Sequence, residues 1–327
     1  MNVQPEIVVD VHLTGDDLRQ KLAEDVRRGL AGRTKRIPPV WFYDETGSRL
    51  FEEITRLPEY YPTRAERHLL ARHRSQIADI AGADTLVELG AGACDKTRVL
   101  LDAMTAQGGL RRYVPFDVSD DFLRVAAKDL RAAYADLDIH IVVGDFHEHL
   151  GRIPSDGRRL VAFLGGTIGN LVPDERRRFL FDLNCTMGYG DHLLLGSDLV
   201  KDPDRIVSAY DDAAGVTAEF NRNVLRVLNR QLGAAFEPQD FEHVARWNHQ
   251  DQWIEMRLRS RCRQTVAIDD LDMAVEFDRG EEILTEISTK FTPDQVEREL
   301  TDAGFVVDAM WGADDGEFLL SIAHPYC

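Results

Sequence analysis

The chain has 327 residues, with Lys+Arg 39 against Asp+Glu 57 and a formal net charge of -18. This length and a hydrophobic share of 44% are enough for one large or two modest domains, while so acidic a surface repels phosphate backbones and anionic lipid, which argues against nucleic-acid and membrane partners. No stretch reaches the roughly 18 to 20 apolar residues of a spanning helix and the N-terminus "MNVQPEIVVDVHLTGDD" lacks a basic region followed by an apolar one, so a cytoplasmic protein, monomeric by default, is expected.

In "DDLRQKLAEDVRRGLAG", Leu18, Leu22, Val26 and Leu30 recur four apart, the stripe of an amphipathic helix that ends at glycine. The aromatic-rich "RIPPVWFYDETGSRLFEEITRLPEYYPT" follows, where prolines at 38, 39, 58 and 62 prevent a long helix. The segment "RAERHLLARHRSQIADIAG" reads as a helix leading into a strand. From there, strands at Thr85 to Leu89, Arg112 to Asp117, Ile139 to Gly144, Leu160 to Leu164 and His192 to Ser197 alternate with helix-like stretches, which indicates a parallel sheet covered on both faces.

The rhythm stops after "LLLGSDLVKDPDR". One long helix-like segment, "RIVSAYDDAAGVTAEFNRNVLRVLNRQLG", precedes the alternating strand-like runs "QWIEMRLRSRCRQTVAI" and "MAVEFDRGEEILTEISTKF", an α+β insertion. The α/β pattern resumes at "TPDQVERELTDAGF", where Thr292 is expected to cap a helix with Pro293 in its first position and Gln295 reaching back. "FVVDAMW" and "EFLLSIAH" around "GADDGE" read as a closing hairpin. The expected organisation is a doubly wound α/β domain over 65–200 and 290–327, and a second α+β domain over 12–64 and 201–289.

Cys94, Cys185, Cys262 and Cys327 are far apart and show no CxxC or Cys/His spacing, so free thiols in a reducing compartment are expected. His147 and His149 in "DFHEHL" stand two apart, which does not share a helical face, and no metal is expected.

In a doubly wound sheet the ligand lies beyond the carboxyl ends of the strands. There, "VELGAGACDKT" offers Gly90 and Gly92 for close backbone approach, but Asp95 stands where a dinucleotide loop needs a small residue, and a pyrophosphate would meet its carboxylate. Glu88 and Asp95 suit a cationic nucleoside such as S-adenosylmethionine; a NAD-type or purely structural turn is the alternative at this point. Asp117 follows about 25 residues after the glycines, where an acid can accept both ribose hydroxyls. Asp145 and Phe146 in "VVGDF" can bond an adenine amine and stack on its ring. Each acid taken alone could equally cap the next helix. At the fourth strand end, "FLGGTIGNL" supplies Gly165, Gly166 and Gly169 for close approach and the neutral amide of Asn170.

Taken with "WFYDETGSRLFEEITRLPEYYPTRAE", "VELGAGACDKTRVLL", "PFDVS", "GDF", "GTIGNL", "AYDDAAGVTAEFNRNVL" and "GEEILTEISTKF", the chain resembles the histidine Nα-methyltransferases of ergothioneine biosynthesis, in motif order and spacing over nearly its whole length. The resemblance implies a Rossmann-like class I methyltransferase domain with a substrate-binding domain, and three methyl transfers from S-adenosylmethionine to the α-amino nitrogen of L-histidine, giving hercynine. It implies Gly90, Lys96, Asp117, Asp145 and Phe146 for S-adenosylmethionine, with Lys96 meeting the methionyl carboxylate. For histidine it implies Tyr60, Asn170, Tyr210, Glu286 and Ser288, with Tyr43, Phe51, Thr167 and Met256 nearby, and Tyr43 and Asn170 as the catalytic pair. Glu286 and Ser288, two apart on a strand, share a face and can hold both edges of an imidazole.

Where the family has "GSGTSEKT" and "GSTIGN", this chain has "GAGACDKT" and "GGTIGN"; Ala93, Cys94 and Gly166 lose hydroxyls, which bears on affinity more than on reaction type. The other readings are a methyltransferase for another small amino acid or amine, a non-catalytic S-adenosylmethionine-binding scaffold, and an NAD-dependent oxidoreductase.

Overall fold

The computed structural model describes residues 7–92 and 96–326. The chain divides into two compact units, Met1–Leu13, Pro62–Val200 and Phe291–Cys327 forming the first and Thr14–Tyr61 and Lys201–Lys290 the second.

In the first unit an eight-stranded sheet runs in the order Ile7–Val11, Asp138–Val143, Arg112–Asp117, Thr85–Leu89, Arg159–Phe163, His192–Asp198, Phe318–Pro325, Phe305–Gly312. The first six are parallel, and the last two add an antiparallel hairpin. This is the Rossmann-like α/β architecture expected from the alternation of strands and helices. Thr85–Leu89 and Arg159–Phe163 are buried along their whole length, because helices cover both faces. Leu69, Leu70 and Ile77 of Tyr61–Ala81, Leu100 and Leu101 of Thr97–Ala106, and Leu123 and Leu130 of Asp120–Ala133 fill one side. Phe179 and Leu183 of Pro173–Thr186 and Leu300 of Pro293–Asp302 fill the other.

Two features of this unit differ from expectation. The edge strand Ile7–Val11 was not foreseen; it is placed by parallel pairing with the distant Asp138–Val143, a non-local contact with no local signature. Thr292 does cap its helix, accepting from the Gln295 N–H at 3.2 Å. The Gln295 side chain does not reach back, however, but runs forward to Glu299 at 2.9 Å, where an i, i+4 partner lies on the same face.

The second unit packs the helices Gly15–Leu30, Glu45–Arg56 and Val216–Leu232 with a four-stranded sheet, ordered Lys35–Arg36, Glu282–Thr289, Trp253–Ser260, Phe241–Asn248, and a ribbon of Gln264–Ile268 and Met273–Phe277. Leu22, Val26 and Leu30 are buried as their spacing predicts, behind a capping box of Thr14 and Asp17. The long helix expected after position 203 is two helices, Pro203–Tyr210 and Val216–Leu232, separated at "DDAAG". Gly215 has φ 76°, a left-handed conformation that ends helical propagation, and Asp212 accepts the Val216 and Thr217 N–H groups at the start of the second helix. Tyr210 thereby stands at a helix C-terminus instead of mid-helix.

On the strand Phe241–Asn248, His243 is buried, with Nε2 2.8 Å from the Tyr210 carbonyl and Nδ1 2.8 Å from the Asn221 amide nitrogen. The amide donates, so Nδ1 accepts and Nε2 carries the proton: the neutral tautomer. Burial pushes its pKa below the ordinary value. The unfolded chain therefore binds the proton first on acidification, and this contribution to stability is lost as pH falls below about 6.5, with a slope of at most about 1.4 kcal/mol per pH unit. Urea unfolding at pH 7.5 and 5.5 is expected to show a shallower acid loss in His243→Gln, whose amide can make both hydrogen bonds without titrating. Equal losses would show that His243 is not linked.

Candidate functional site

In the first unit, the sequence-predicted residues stand at the carboxyl ends of neighbouring parallel strands. Gly90 and Gly92 have φ 70° and 49°, the left-handed region open to glycine. The Gly90 N–H donates to the Phe116 carbonyl at 2.8 Å, and the Gly92 N–H to the Asp117 carboxylate at 3.3 Å. Asp117 also accepts from the Ser119 N–H at 3.1 Å, and its carbonyl receives the Gly144 N–H at 2.9 Å, which ties the ends of Thr85–Leu89, Arg112–Asp117 and Asp138–Val143 together. Burial raises the Asp117 pKa, while the backbone N–H groups hold it down. Residues 93–95, on which the case against a pyrophosphate and the Ala93 and Cys94 departures rest, lie outside the described residues, as does Cys327; Cys185 and Cys262 are free thiols.

Lys96 is held by Glu66, Nζ to carboxylate 2.5 Å. The other oxygen of Glu66 accepts the Gly165 N–H at 2.7 Å, and Glu66 is 0% exposed. Sequence reasoning missed Glu66. The signal was present, since an acid three and four residues before Leu69 and Leu70 lies on the buried stripe of its own helix. Glu88, read as facing a cationic ligand, is instead engaged inside the unit, receiving the hydroxyls of Thr97 and, at 2.6 Å, of Tyr113. Burial pushes its pKa to about 7.

Asp145 accepts the His147 N–H at 2.8 Å. Phe146 is edge-on to Phe163 and Phe179, with centroids 5.6 and 5.4 Å away, at the margin of the apolar cluster. After Arg159–Phe163, Gly165 and Gly166 are both left-handed, at φ 79° and 68°. They turn the chain into Thr167–Asn170, where Thr167 donates to the Leu164 carbonyl at 2.9 Å and Asn170 stands half-buried at the last position.

In the second unit an aromatic series runs from Tyr43 to Phe51 (5.6 Å between centroids), Phe51 to Tyr60 (6.2 Å) and Tyr60 to Tyr210 (6.3 Å), each pair tilted edge to face. A bulge in Glu282–Thr289 determines which of its side chains share a face. Leu284 pairs with Arg257 and Glu286 with Met256, so Thr285 is the extra residue. Thr285 is anchored through its hydroxyl to Asn221 at 2.7 Å. The bulge shifts the alternation by one, carrying Glu286 and Ser288 onto the face of their register partners Met256 and Ile254, both buried. Desolvation pushes the Glu286 pKa to about 7 against the opposing charge of Lys290. Lys290, which the sequence reading did not single out, is 0% exposed and donates to Ser288 Oγ and Tyr210 Oη, each at 2.9 Å.

Among the described residues, one His/carboxylate group has metal-ligand character: His192, Asp308 and His324, at the amino end of His192–Asp198 and away from the carboxyl-end cluster. Within it, His324 Nδ1 lies 2.9 Å and His192 Nε2 3.6 Å from Asp308. No helix among the described residues is long and apolar enough to cross a membrane.

The chain is similar to a histidine N-alpha-methyltransferase of Mycolicibacterium smegmatis, 54% identical over 95% of this chain and 97% of that protein. With one of Mycobacterium tuberculosis it shares 53% identity over the same fractions. An L-tryptophan methyltransferase of Psilocybe serbica is 28% identical over 93% of this chain and 91% of that protein. The model of the family described as histidine-specific methyltransferase, SAM-dependent, matches residues 22–325. With that match spanning both units, the chain belongs to the S-adenosylmethionine-dependent, histidine-specific methyltransferases.

Proposed function

We propose that the protein methylates the α-amino nitrogen of L-histidine three times to give hercynine, the first step of ergothioneine biosynthesis, as a cytoplasmic monomer. The observation that carries the choice of histidine is the bulge-directed pair Glu286 and Ser288, an acceptor and a hydroxyl on one face beside Met256. An imidazole has a ring N–H and a ring nitrogen acceptor to satisfy both; the indole of tryptophan has the N–H alone.

The first unit takes the methyl donor. Its left-handed glycines, the open space where a Cβ at Gly90 would stand and the backbone-held Asp117 fit a nucleoside with a cationic tail. S-adenosylmethionine supplies an electrophilic methyl group. Asp117 is assigned to the ribose hydroxyls, Asp145 and Phe146 to the adenine, and Gly90 and Lys96 to the amino-acid end, Lys96 using donors beyond the one directed at Glu66.

The second unit takes the amino acid through Glu286, Ser288, Tyr60, Tyr210 and Met256. Transfer needs an in-line neutral amine, so the residues' main work is orientation and exclusion of water. The amine enters deprotonated or loses its proton to water or a tyrosine oxygen, with Tyr43 and Asn170 assigned to its orientation and Thr167 beside Asn170. Incubation with S-adenosylmethionine and each amino acid, read by mass, is expected to give mono-, di- and trimethylhistidine; methylation of a different amino acid in preference would overturn the assignment.

The last product is a quaternary ammonium, which cannot donate a hydrogen bond, and the rings of Phe51 and Tyr43 are assigned to hold it by cation–π attraction of about 0.5 to 2 kcal/mol. Phe51→Ala is therefore expected to slow the second and third methylations about threefold to tenfold more than the first. Equal slowing of all three, followed by mass, would remove the role.

A further inference from the structure

We propose that Lys290 is a positioning residue that makes the Ser288 hydroxyl a donor and offsets the charge of Glu286, so that the site selects a neutral imidazole with a free ring nitrogen. This rests on the reading of Glu286 and Ser288 as the imidazole-holding pair.

Glu286 and Ser288 follow one another at the strand period of two and so project to one side, and Lys290, the first residue past the strand, turns its Nζ to Ser288. Lys290 is wholly buried, with its Nζ 2.9 Å from both Ser288 Oγ and Tyr210 Oη and 4.8 Å from the Tyr210 ring centroid. An ammonium has three donors and no acceptor. Both hydroxyl oxygens therefore accept from it, and each hydroxyl's single proton is directed elsewhere. Ser288 meets a ligand with its proton foremost, whereas an unconstrained serine would rotate to suit either partner.

Charge acts in the same direction. The positive charge of Lys290 pulls the Glu286 carboxyl pKa down against burial. An imidazolium would bring a second cation beside Lys290 and a second N–H toward the Ser288 proton, whereas a neutral imidazole gives Ser288 an acceptor and Glu286 a donor. A pyrrole or indole side chain leaves the Ser288 proton unmatched.

The test compares L-histidine with an alanine bearing a pyrrol-2-yl group, which keeps the ring N–H and lacks the ring acceptor. Wild type, Lys290→Met and Lys290→Gln are assayed for kcat and KM between pH 6 and 9, with S-adenosylmethionine affinity measured by calorimetry as the check on folding. In Lys290→Met the preference for histidine is expected to narrow by about tenfold or more, through KM more than kcat, and the pH profile for histidine is expected to move to higher pH as the Glu286 carboxyl loses the cation that lowers its pKa. Lys290→Gln, which keeps a donor and loses the charge, is expected to retain most of the preference and still show the pH shift; it also carries the test should Lys290→Met fail to bind S-adenosylmethionine. Unchanged preference and unchanged pH profile would overturn the role of Lys290. Ser288→Ala separates the two levels: an unchanged KM for histidine there overturns the underlying reading of the imidazole pair, whatever Lys290 does.

Discussion

In Glu286→Ala, the KM for L-histidine is expected to rise by about 100-fold, equivalent to about 3 kcal/mol, the upper range for a hydrogen bond to a charged group in a desolvated site. The effect should fall on histidine alone, with S-adenosylmethionine affinity unchanged, because Glu286 belongs to the second unit and no cofactor role is assigned to it. The same residue sets a pH dependence. Burial raises its pKa to about 7, so in the free enzyme the carboxyl is largely protonated at pH 6 and ionised at pH 8. A protonated carboxyl accepts the ring N–H more weakly than a carboxylate does, so kcat/KM for histidine should climb through pH 7. In Glu286→Gln that inflection should disappear while histidine binding remains weakened. The raised pKa also costs stability as pH rises from about 4.5 to 7, since the native carboxyl retains its proton longer than the unfolded one. An unchanged KM in the alanine variant would show that the imidazole is held by other groups.

Glu286 also illustrates how much could be read from the chain alone. A period of two places Glu286 and Ser288 on one face, and that is enough to pair them. Which face that is depends on the bulge at Thr285, whose anchor is Asn221, on a distant helix. Counting alternation from the buried Ile283 would have sent Glu286 to the opposite side. The parallel strands of the first unit were legible because burial on both faces leaves continuous apolar runs, and their carboxyl ends locate Asp117 and Asp145 without knowledge of the pairing. The partners of charged groups were not legible. In the sequence Lys96 and Glu88 both read as facing a ligand, yet Glu66 holds one and Thr97 and Tyr113 hold the other. Such contacts join residues brought together only by the packing of two helices on the sheet and the pairing of its strands.

Glu66→Ala is expected to lower the unfolding free energy by about 3 kcal/mol, the lower end of the cost of breaking a buried ion pair, because Lys96 retains some access to water. The side chain of Lys96 is 24% exposed and that of Glu66 0%, so the asymmetry has a sign. Removing the acid strands a cation that water can partly reach, as well as the Gly165 N–H, whereas removing the lysine strands a fully buried carboxylate that must take up a proton. The double variant Glu66→Ala, Lys96→Ala removes both charges and should be more stable than Glu66→Ala alone, giving a coupling of about 1 to 3 kcal/mol for groups in contact. Gly196 provides an independent approach to the same carboxylate. A Cβ there would lie 2.2 Å from Glu66 Oε1, so Gly196→Ala must displace Glu66 from both partners and should destabilise on a similar scale. Because Glu66 fixes the Lys96 ammonium beside Gly165, where a Cβ would come within 3.3 Å of Nζ, these variants should also weaken S-adenosylmethionine binding, measured by calorimetry on the folded fraction. Additive stability losses for Glu66→Ala and Lys96→Ala would mean that the pair is not an energetic unit and that Lys96 is positioned by other contacts.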